Sequence, residues 1–223
     1  MANWLKYKWV LIVLPILFIG QSSMQENTDF QKRWGFFGHK RINRIAVFTL
    51  PPEMFGFYKE HLEYITDHAV DPDKRRYAVD GEAQRHYIDI DHYVKEGEDP
   101  FEIMPKRWKD AVARFTEDTL QAYGIVPWHI KTMKFKLQRA FEAKNIDLIL
   151  KYSADIGHYI GDAHVPLHTT ENYNGQLTDQ YGIHGFWESR IPELVAEDWD
   201  YLVGKAKYYE TPLDKAWSTV EAS

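Results

Sequence analysis

The 223-residue chain contains no cysteine. That excludes disulfides, thiolate metal sites and cysteine nucleophiles together. It also lacks a basic excess. The formal net charge is −6, which argues weakly against holding nucleic acid mainly by charge. Glycine and proline are sparse, 13 and 10 residues, so collagen-like and low-complexity classes are ruled out. There is no internal repeat, no alternation of strands and helices, and no glycine-rich phosphate loop. Long apolar runs are missing too, apart from Val10 to Gly20 near the N-terminus. That run is short of the roughly 20 residues that cross a bilayer comfortably. With Lys6 and Lys8 before it and Gln21-Ser22-Ser23 after it, it reads as a basic region, an apolar region and a cleavage zone. Residues 1–22 are therefore read as an export signal, and 23–33 as a polar linker. Export to the periplasm or the medium is preferred over membrane anchoring by residues 10–20. Loss of Lys6 and Lys8 with the leader takes the net charge from −6 to −8.

What remains, 34–223, is of a length for one domain and carries helical periodicity. Trp34 to Leu50 and Pro52 to Thr66 both show apolar residues at three-to-four spacing, the stripe of an amphipathic helix. Asp67 to Asp80 is charged and turn-rich and reads as a loop. His86 to Tyr93 alternates, as a short strand or a tight helical start. Pro105 to Ala122, Val126 to Ala143 and Asn145 to Ala163 read as helices. Thr169 to Gly182 is a long Asn- and Gly-bearing loop. Ile183 to Val195 is a helix interrupted at Pro192, and Pro212 opens a last helix. That helix reaches Ser223 with no stop signal, so truncation at the C-terminus is an open expectation. The fold class expected is all-α, a single compact multi-helix domain with a metal cluster in a cleft.

The chain has ten histidines, and four short pieces concentrate the chemistry. His158 and Asp162 lie four apart and share one helix face, with about 6 Å between Cβ atoms. Pro166 turns the chain out of the helix, which lets His168 return toward the same cavity. His184 and Glu188 repeat the four-residue spacing. Asp71 lies in a loop fifteen residues before His86, and His39 stands at the head of the first helix after Trp34-Gly-Phe-Phe-Gly. A single pair of this kind is ordinarily a solvated contact, whereas two pairs separated by a glycine-bearing loop make a ligand set as good a reading as solvated contacts. Imidazole nitrogen and carboxylate oxygen without thiolate suit zinc. Five histidines and three carboxylates exceed one four-coordinate ion and suffice for a multinuclear site with a bridging carboxylate. His61, His68, His92, His129 and His164 are left as surface or core residues, with His68 as a candidate support for Asp71. Gly157 and Gly161 are read as close helix packing.

Taken as a set, Trp-Gly-x-x-Gly-His, His-Tyr-Ile-Asp, His-x-x-Gly-Asp-x-x-x-Pro-Leu-His and His-x-x-x-Glu resemble the superfamily that unites zinc-dependent phospholipase C with the fungal and plant single-strand nucleases. The resemblance runs from Trp34 to Glu188 in the family's order. It implies an all-α fold with zinc at the bottom of a cleft. By motif, one zinc takes Asp71, His86, His158 and Asp162, a second takes His168, His184 and Glu188, and a third takes His39, the bridging Asp162 and the amine and carbonyl of Trp34. Two or three zinc ions are implied. A free amine at Trp34 needs cleavage after Arg33, a step beyond removal of the leader. The family nucleases carry an arginine three residues after the loop aspartate. Here that position is Lys74, followed by Arg75, and both are candidates to neutralise phosphoryl oxygens. Asp71 is a candidate to orient the attacking water.

The resemblance thus implies an exported zinc-dependent phosphodiester hydrolase that uses a metal-activated water. Its substrate would be a phospholipid headgroup or single-stranded nucleic acid, and no obligate protein partner is inferred. Tyr87 and Asp89 occupy positions where the nucleases stack on and bond a base, which favours a nuclease. Glu188, where the nucleases have Asp, and the absence of cysteine lean toward phospholipase C, the side slightly preferred. The alternative is a non-catalytic helical module that binds zinc or a phosphate headgroup.

Overall fold

A computed structural model describes residues 35–223. The expected leader 1–22, linker 23–33 and Trp34 lie outside the described residues. These are helical, with no strand among them, and they pack as one all-α domain. Helix α1 covers 35–49. Pro51 precedes α2 (Pro52–Glu60), with proline in the first turn where its missing N–H costs nothing. Then follow α3 (Leu62–Asp67), a 3-10 turn (His68–Val70) and α4 (Asp71–Arg75). The segment read as a charged loop therefore contains a short helix, opened by Asp71-Pro72 in its first turn.

The 86–93 segment is not a strand. Its apolar alternation comes from an extended connection that pushes Ile88 and Ile90 into the core. Ile88 N–H donates to the His168 carbonyl at 2.9 Å and Ile90 N–H to the Thr169 carbonyl at 3.3 Å. The tail of the segment is a 3-10 turn, Ile90–Tyr93. After α5 (Pro100–Ile103), the helix expected over 105–122 appears as two, α6 (Trp108–Phe115) and α7 (Glu117–Ala122). They break at Thr116, whose φ is +68° and whose hydroxyl accepts from Thr119 N–H as an N-cap.

The long hairpin α8 (Val126–Glu142) and α9 (Ile146–Asp162) is the spine. Lys144 in the left-handed region (φ +52°) turns the chain between them, and the Asn145 side chain caps α9 by accepting from Leu148 N–H. One core lies around Ile88, Leu120, Trp128, Met133, Tyr159 and Trp217, another around Val47, Tyr58, Ile65, Leu150 and Ala154. The last helix, α12 (Pro212–Ala222), closes the first core against α8. There Trp128 and Trp217 both donate their indole N–H to the Lys106 carbonyl, at 2.8 and 3.1 Å.

Two glycines permit close approaches that fix the site's supports. A Cβ on Gly157 would stand 2.0 Å from Asn43 Oδ1. Asn43 is the buried amide that ties α1 to α9 through the Ala154 carbonyl (3.0 Å). At Gly124, φ is +93° and a Cβ would meet the Tyr87 carbonyl at 2.2 Å, so no side chain fits beside the Tyr87 backbone. Between α9 and α12 run a 3-10 turn (Pro166–His168), the irregular loop 169–182, α10 (Ile183–Gly185), a π-helical turn (Phe186–Arg190) and α11 (Ile191–Val195). The expected helix 183–195 is thus three shorter turns joined end to end.

Candidate metal centre

Helix α9 brings His158 and Asp162 to one face, both essentially inaccessible to solvent. Asp162 stands at the hub. Its Oδ2 lies 2.9 Å from His86 Nδ1 and 3.2 Å from His158 Nε2, while its Oδ1 lies 3.3 Å from His39 Nε2. One carboxylate oxygen thus faces the His86–His158 pair and the other faces His39. His86 Nδ1 and His158 Nε2 are 3.0 Å apart, and the His39 and His158 rings stack at 3.9 Å. A second group forms where the 3-10 turn after Pro166 returns His168 toward the π-helical turn. His168 Nε2 is 2.7 Å from Glu188 Oε1, and His184 Nε2 is 3.1 Å from Glu188 Oε2.

Three of these imidazoles are oriented the same way. His158 Nδ1 meets the Ala69 carbonyl (2.9 Å), His168 Nδ1 the His86 carbonyl (2.6 Å) and His184 Nδ1 the Tyr173 carbonyl (3.0 Å). A carbonyl accepts only, so each Nδ1 carries a hydrogen and each Nε2 is the atom aimed inward, able to present a lone pair to a metal once any proton on it is released. That is the way proteins orient a metal-binding histidine. His168 Nε2 and Glu188 Oε1 are buried and only 2.7 Å apart, yet they make no hydrogen bond in acceptable geometry. Two donor atoms converging on a common point fit a shared cation. The atoms of three groups lie close enough to hold a metal ion: His39, His158 and Asp162; Asp73, His86 and His158; His168, His184 and Glu188. The donors are nitrogen and oxygen only, which suits zinc.

Charge follows the same geometry. Burial would raise the Asp162 carboxyl, but His158 and His168 hold it well below the usual carboxylate range. Burial would lower the His168 imidazole, but Glu188 and Asp162 push it up to about 10. Glu188 is correspondingly held low by His168 and His184 against the opposing effect of burial. His86 is lowered, chiefly by burial.

The structure brings together His39, His86, His158, Asp162, His168, His184 and Glu188, and it does not bring Asp71 to them. The Asp71 carboxylate bonds His68 (2.5 Å) and Lys74 (2.9 Å) instead. Asp73 takes the place beside the cluster, with Oδ1 3.6 Å from both His86 Nδ1 and His158 Nε2. The cause is helical phase. Residues two apart on α4 are turned about 200° from each other, so only one of the two aspartates faces α9. Arg75 is engaged elsewhere and does not face the cluster as a phosphate clamp. Its guanidinium bonds Asp155 (3.1 Å) and the Tyr159 hydroxyl (2.9 Å) and pairs with Glu82 (3.0 Å). Lys74 is largely exposed and paired with Asp71. Arg76 is the third residue of the basic cluster Lys74-Arg75-Arg76, which its place beside Asp71 makes a candidate phosphate clamp in the sequence. It is half-buried, and its charge reaches the Tyr87 hydroxyl. Counting three residues on from Asp73 instead of Asp71 finds it.

Tyr87 donates its hydroxyl to the Ala122 carbonyl at 3.3 Å. Asp89 is half-buried, and burial, reinforced by Asp91 and Glu171, raises its carboxyl to about 7. His68 does support Asp71, but away from the cluster. His164 lies exposed beyond the end of α9. Beside the cluster, Phe37, Ile42, Ile45, Trp187, Trp199 and Tyr201 line an apolar cavity of about 370 Å³ that reaches His39 and Glu188.

The S1/P1 nuclease family model matches residues 34–215. The chain belongs to the S1/P1 nuclease family. The match begins at Trp34 and takes in every residue of the three groups, and it makes the chain a hydrolase of phosphodiester bonds, of the nuclease and phospholipase C type. No curated protein and no solved structure gives a significant match. Among the described residues no helix is long and apolar enough to cross a membrane.

Proposed function

We propose that the protein is an exported, zinc-dependent nuclease acting on single-stranded nucleic acid, with 34–223 as its one catalytic domain behind an export signal (1–22) and a linker (23–33). The observation that carries the reading is Asp162, with one oxygen turned to His86 and His158 and the other to His39, together with the neighbouring group of His168, His184 and Glu188. In this reading Asp73, His86, His158 and Asp162 hold one zinc and His168, His184 and Glu188 a second. His39 and Asp162 hold a third, completed by Trp34 once the bond after Arg33 is cut. Asp73 replaces Asp71 as the loop ligand. Zinc bound there supplies Lewis-acid polarisation of a phosphoryl oxygen and a water whose pKa falls toward about 7.

The chain's own residues do the rest. The carbonyls of Ala69, His86 and Tyr173 hold three imidazoles by their Nδ1 hydrogens, so the rings already aim Nε2 into the cluster. Asp162 stays ionised and offers an oxygen to each side. Arg76, half-buried with its charge reaching Tyr87, is the cation proposed to meet equatorial phosphoryl oxygens, in the role first expected of Lys74 or Arg75. The Tyr87 ring offers a stacking face for a base. Asp89, whose carboxyl is raised to about 7, holds a proton through mildly acidic conditions and can donate it to a base edge.

The family supports nucleic acid as the substrate, and this overrides the slight lean to phospholipase C. Phospholipase C stays as the second reading because position 188 is Glu, where the nucleases resembled carry Asp. The test is metal content by plasma mass spectrometry on protein purified without added zinc, paired with turnover on single-stranded DNA and on phosphatidylcholine vesicles. Zinc that co-purifies, with DNA cleavage lost on chelation and restored by zinc, is the expected outcome. Turnover of phosphatidylcholine alone would transfer the proposal to the lipase reading. Bound zinc with neither activity would leave a binding module.

A further inference from the structure

His86 is reversed relative to the other oriented histidines of the cluster. It is Nδ1 that faces inward, 2.9 Å from Asp162 Oδ2, 3.0 Å from His158 Nε2 and 3.6 Å from Asp73 Oδ1. The ring is wholly buried, and its outward atom, Nε2, has no hydrogen-bond partner. If Nδ1 is to present a lone pair to the cluster, the hydrogen must sit on Nε2. A buried N–H without an acceptor costs about 1–3 kcal/mol. What Nε2 faces is Glu82 Oε1 at 3.9 Å, longer than a hydrogen bond but with neither residue exposed to solvent, where charge–dipole attraction is strong.

Glu82 belongs to none of the three groups, and as a fully buried carboxylate it needs a reason to be charged. The structure gives one. Arg85 pairs with its Oε2 at 2.6 Å, Arg75 pairs with its Oε1 at 3.0 Å, and the Tyr159 hydroxyl donates to it. Arg75 in turn bonds Asp155 at 3.1 Å. The network joins three of the segments that carry cluster residues: α4 with Asp73, the turn before His86, and α9 with His158 and Asp162. A stability role alone does not account for it. Buried ion pairs are often no better for stability than apolar residues, and nothing in such a role calls for one carboxylate oxygen to lie toward a ligand's far nitrogen.

We propose that Glu82 is the positioning residue of His86, fixing the hydrogen on Nε2 so that Nδ1 is the metal-binding atom. This rests on the zinc reading above. Arg75, Arg85 and Tyr159 keep Glu82 ionised and aimed. Arg75 therefore serves the site from behind the His86 ring and not from the substrate side.

The test uses the full chain labelled with ¹⁵N-histidine. In the zinc-loaded wild type, the long-range ¹H–¹⁵N spectrum is expected to show His86 as the Nε2–H tautomer with Nδ1 coordinated. Glu82→Gln is expected to weaken one zinc equivalent about 10–100-fold in chelator competition, as loss of a partner behind a ligand does, and to leave the other equivalents unchanged. Glu82→Asp, which keeps the charge, recovers part of that affinity. A hydrogen on Nδ1 of His86 overturns the proposal, and this measurement needs no variant to fold. Equal weakening of every zinc, with a matching fall in the melting temperature of the metal-free protein, also overturns it and makes Glu82 purely structural. If the wild type binds zinc and Glu82→Gln binds it equally well, only the positioning role falls. If the wild type binds none, the zinc reading falls with it.

Discussion

Two aspartates separated by one proline illustrate how far a single residue's role depends on helical phase. Asp71 and Asp73 are chemically equivalent in the sequence, but only Asp73 faces the His86 and His158 nitrogens, at 3.6 Å. Asp73→Asn is expected to weaken zinc binding by about 10–100-fold and to depress turnover, while Asp71→Asn costs at most about 1 kcal/mol of an exposed ion pair. Isothermal titration with zinc on both variants decides between them, and the reverse ranking would restore the loop aspartate first chosen from the motif. Of the seven other candidate ligands within the described residues, five were legible because their spacing is itself geometry: His158 with Asp162 and His184 with Glu188 four residues apart, and His168 returned by a proline; His39 and His86 came from the motif resemblance. Asp73 was not legible, because a charged stretch with no apolar stripe gives no phase. Glu82 was invisible for a different reason. Nothing in a sequence marks an acid that will be buried by two arginines and a tyrosine. Gly157 was readable as a packing glycine. Its substitution by alanine would place a methyl group 2.0 Å from Asn43 Oδ1, and overpacking of this kind costs about 1–3 kcal/mol, more than the helix propensity alanine gains. Thermal melting of Gly157→Ala, lowered by several degrees relative to wild type, is the expected result.

At the scale of elements, the long helices were read correctly and the short ones were not. Helices α8 and α9 carry continuous stripes and clear ends, a proline in the first turn of one and an asparagine cap on the other. The expected helix 105–122 splits because Thr116 adopts φ +68° and ψ 153°, a region that only glycine occupies cheaply. Periodicity cannot foresee this, because the apolar residues on either side keep a helical rhythm. The strain makes a prediction of the opposite sign to most substitutions. Thr116→Gly relieves about 1–3 kcal/mol of backbone strain and loses only a few tenths of a kcal/mol as a cap, since glycine is itself tolerated there. The variant is expected to melt a few degrees higher than wild type by calorimetry, and an unchanged or lower midpoint would mean that the turn is held without strain. The 183–195 segment breaks for a functional geometry. The π-helical turn Phe186–Arg190 carries Glu188 toward His168 while leaving His184 within reach of the same carboxylate. A helix interrupted only at Pro192 was the expectation, and the sequence contains no signal for the wider turn.

The charges of the whole site, taken together, couple the stability of the metal-free fold and its affinity for metal to pH in opposite directions. In the metal-free protein, His168 is raised from its ordinary 6.5 to about 10 by Glu188 and Asp162, which outweigh burial. A raised histidine stabilises the fold fully below its unfolded value, and that contribution is lost as pH climbs from about 6.5 to about 10. Glu188 and Asp162 are both depressed, so their contribution is present above the unfolded carboxylate value and is lost as the solution is acidified below it. The raised Asp89, at about 7, works the other way from these acids. Its folded form favours the proton, so stability declines as pH rises through the range from about 4 to about 7. The metal-free protein should therefore lose stability steadily from mildly acidic to alkaline pH. Zinc competes with the His168 proton for the same nitrogen, so its affinity rises over the same interval, and a ligand that binds only the folded state adds stability that grows with the logarithm of its concentration over its Kd. The gap in melting temperature between zinc-loaded and chelator-treated protein is thus expected to widen from pH 6 to pH 9. A gap that is constant or narrows would mean that His168 does not exchange its proton for the metal. The second group would then be an ion pair between His168 and Glu188 and not a metal site.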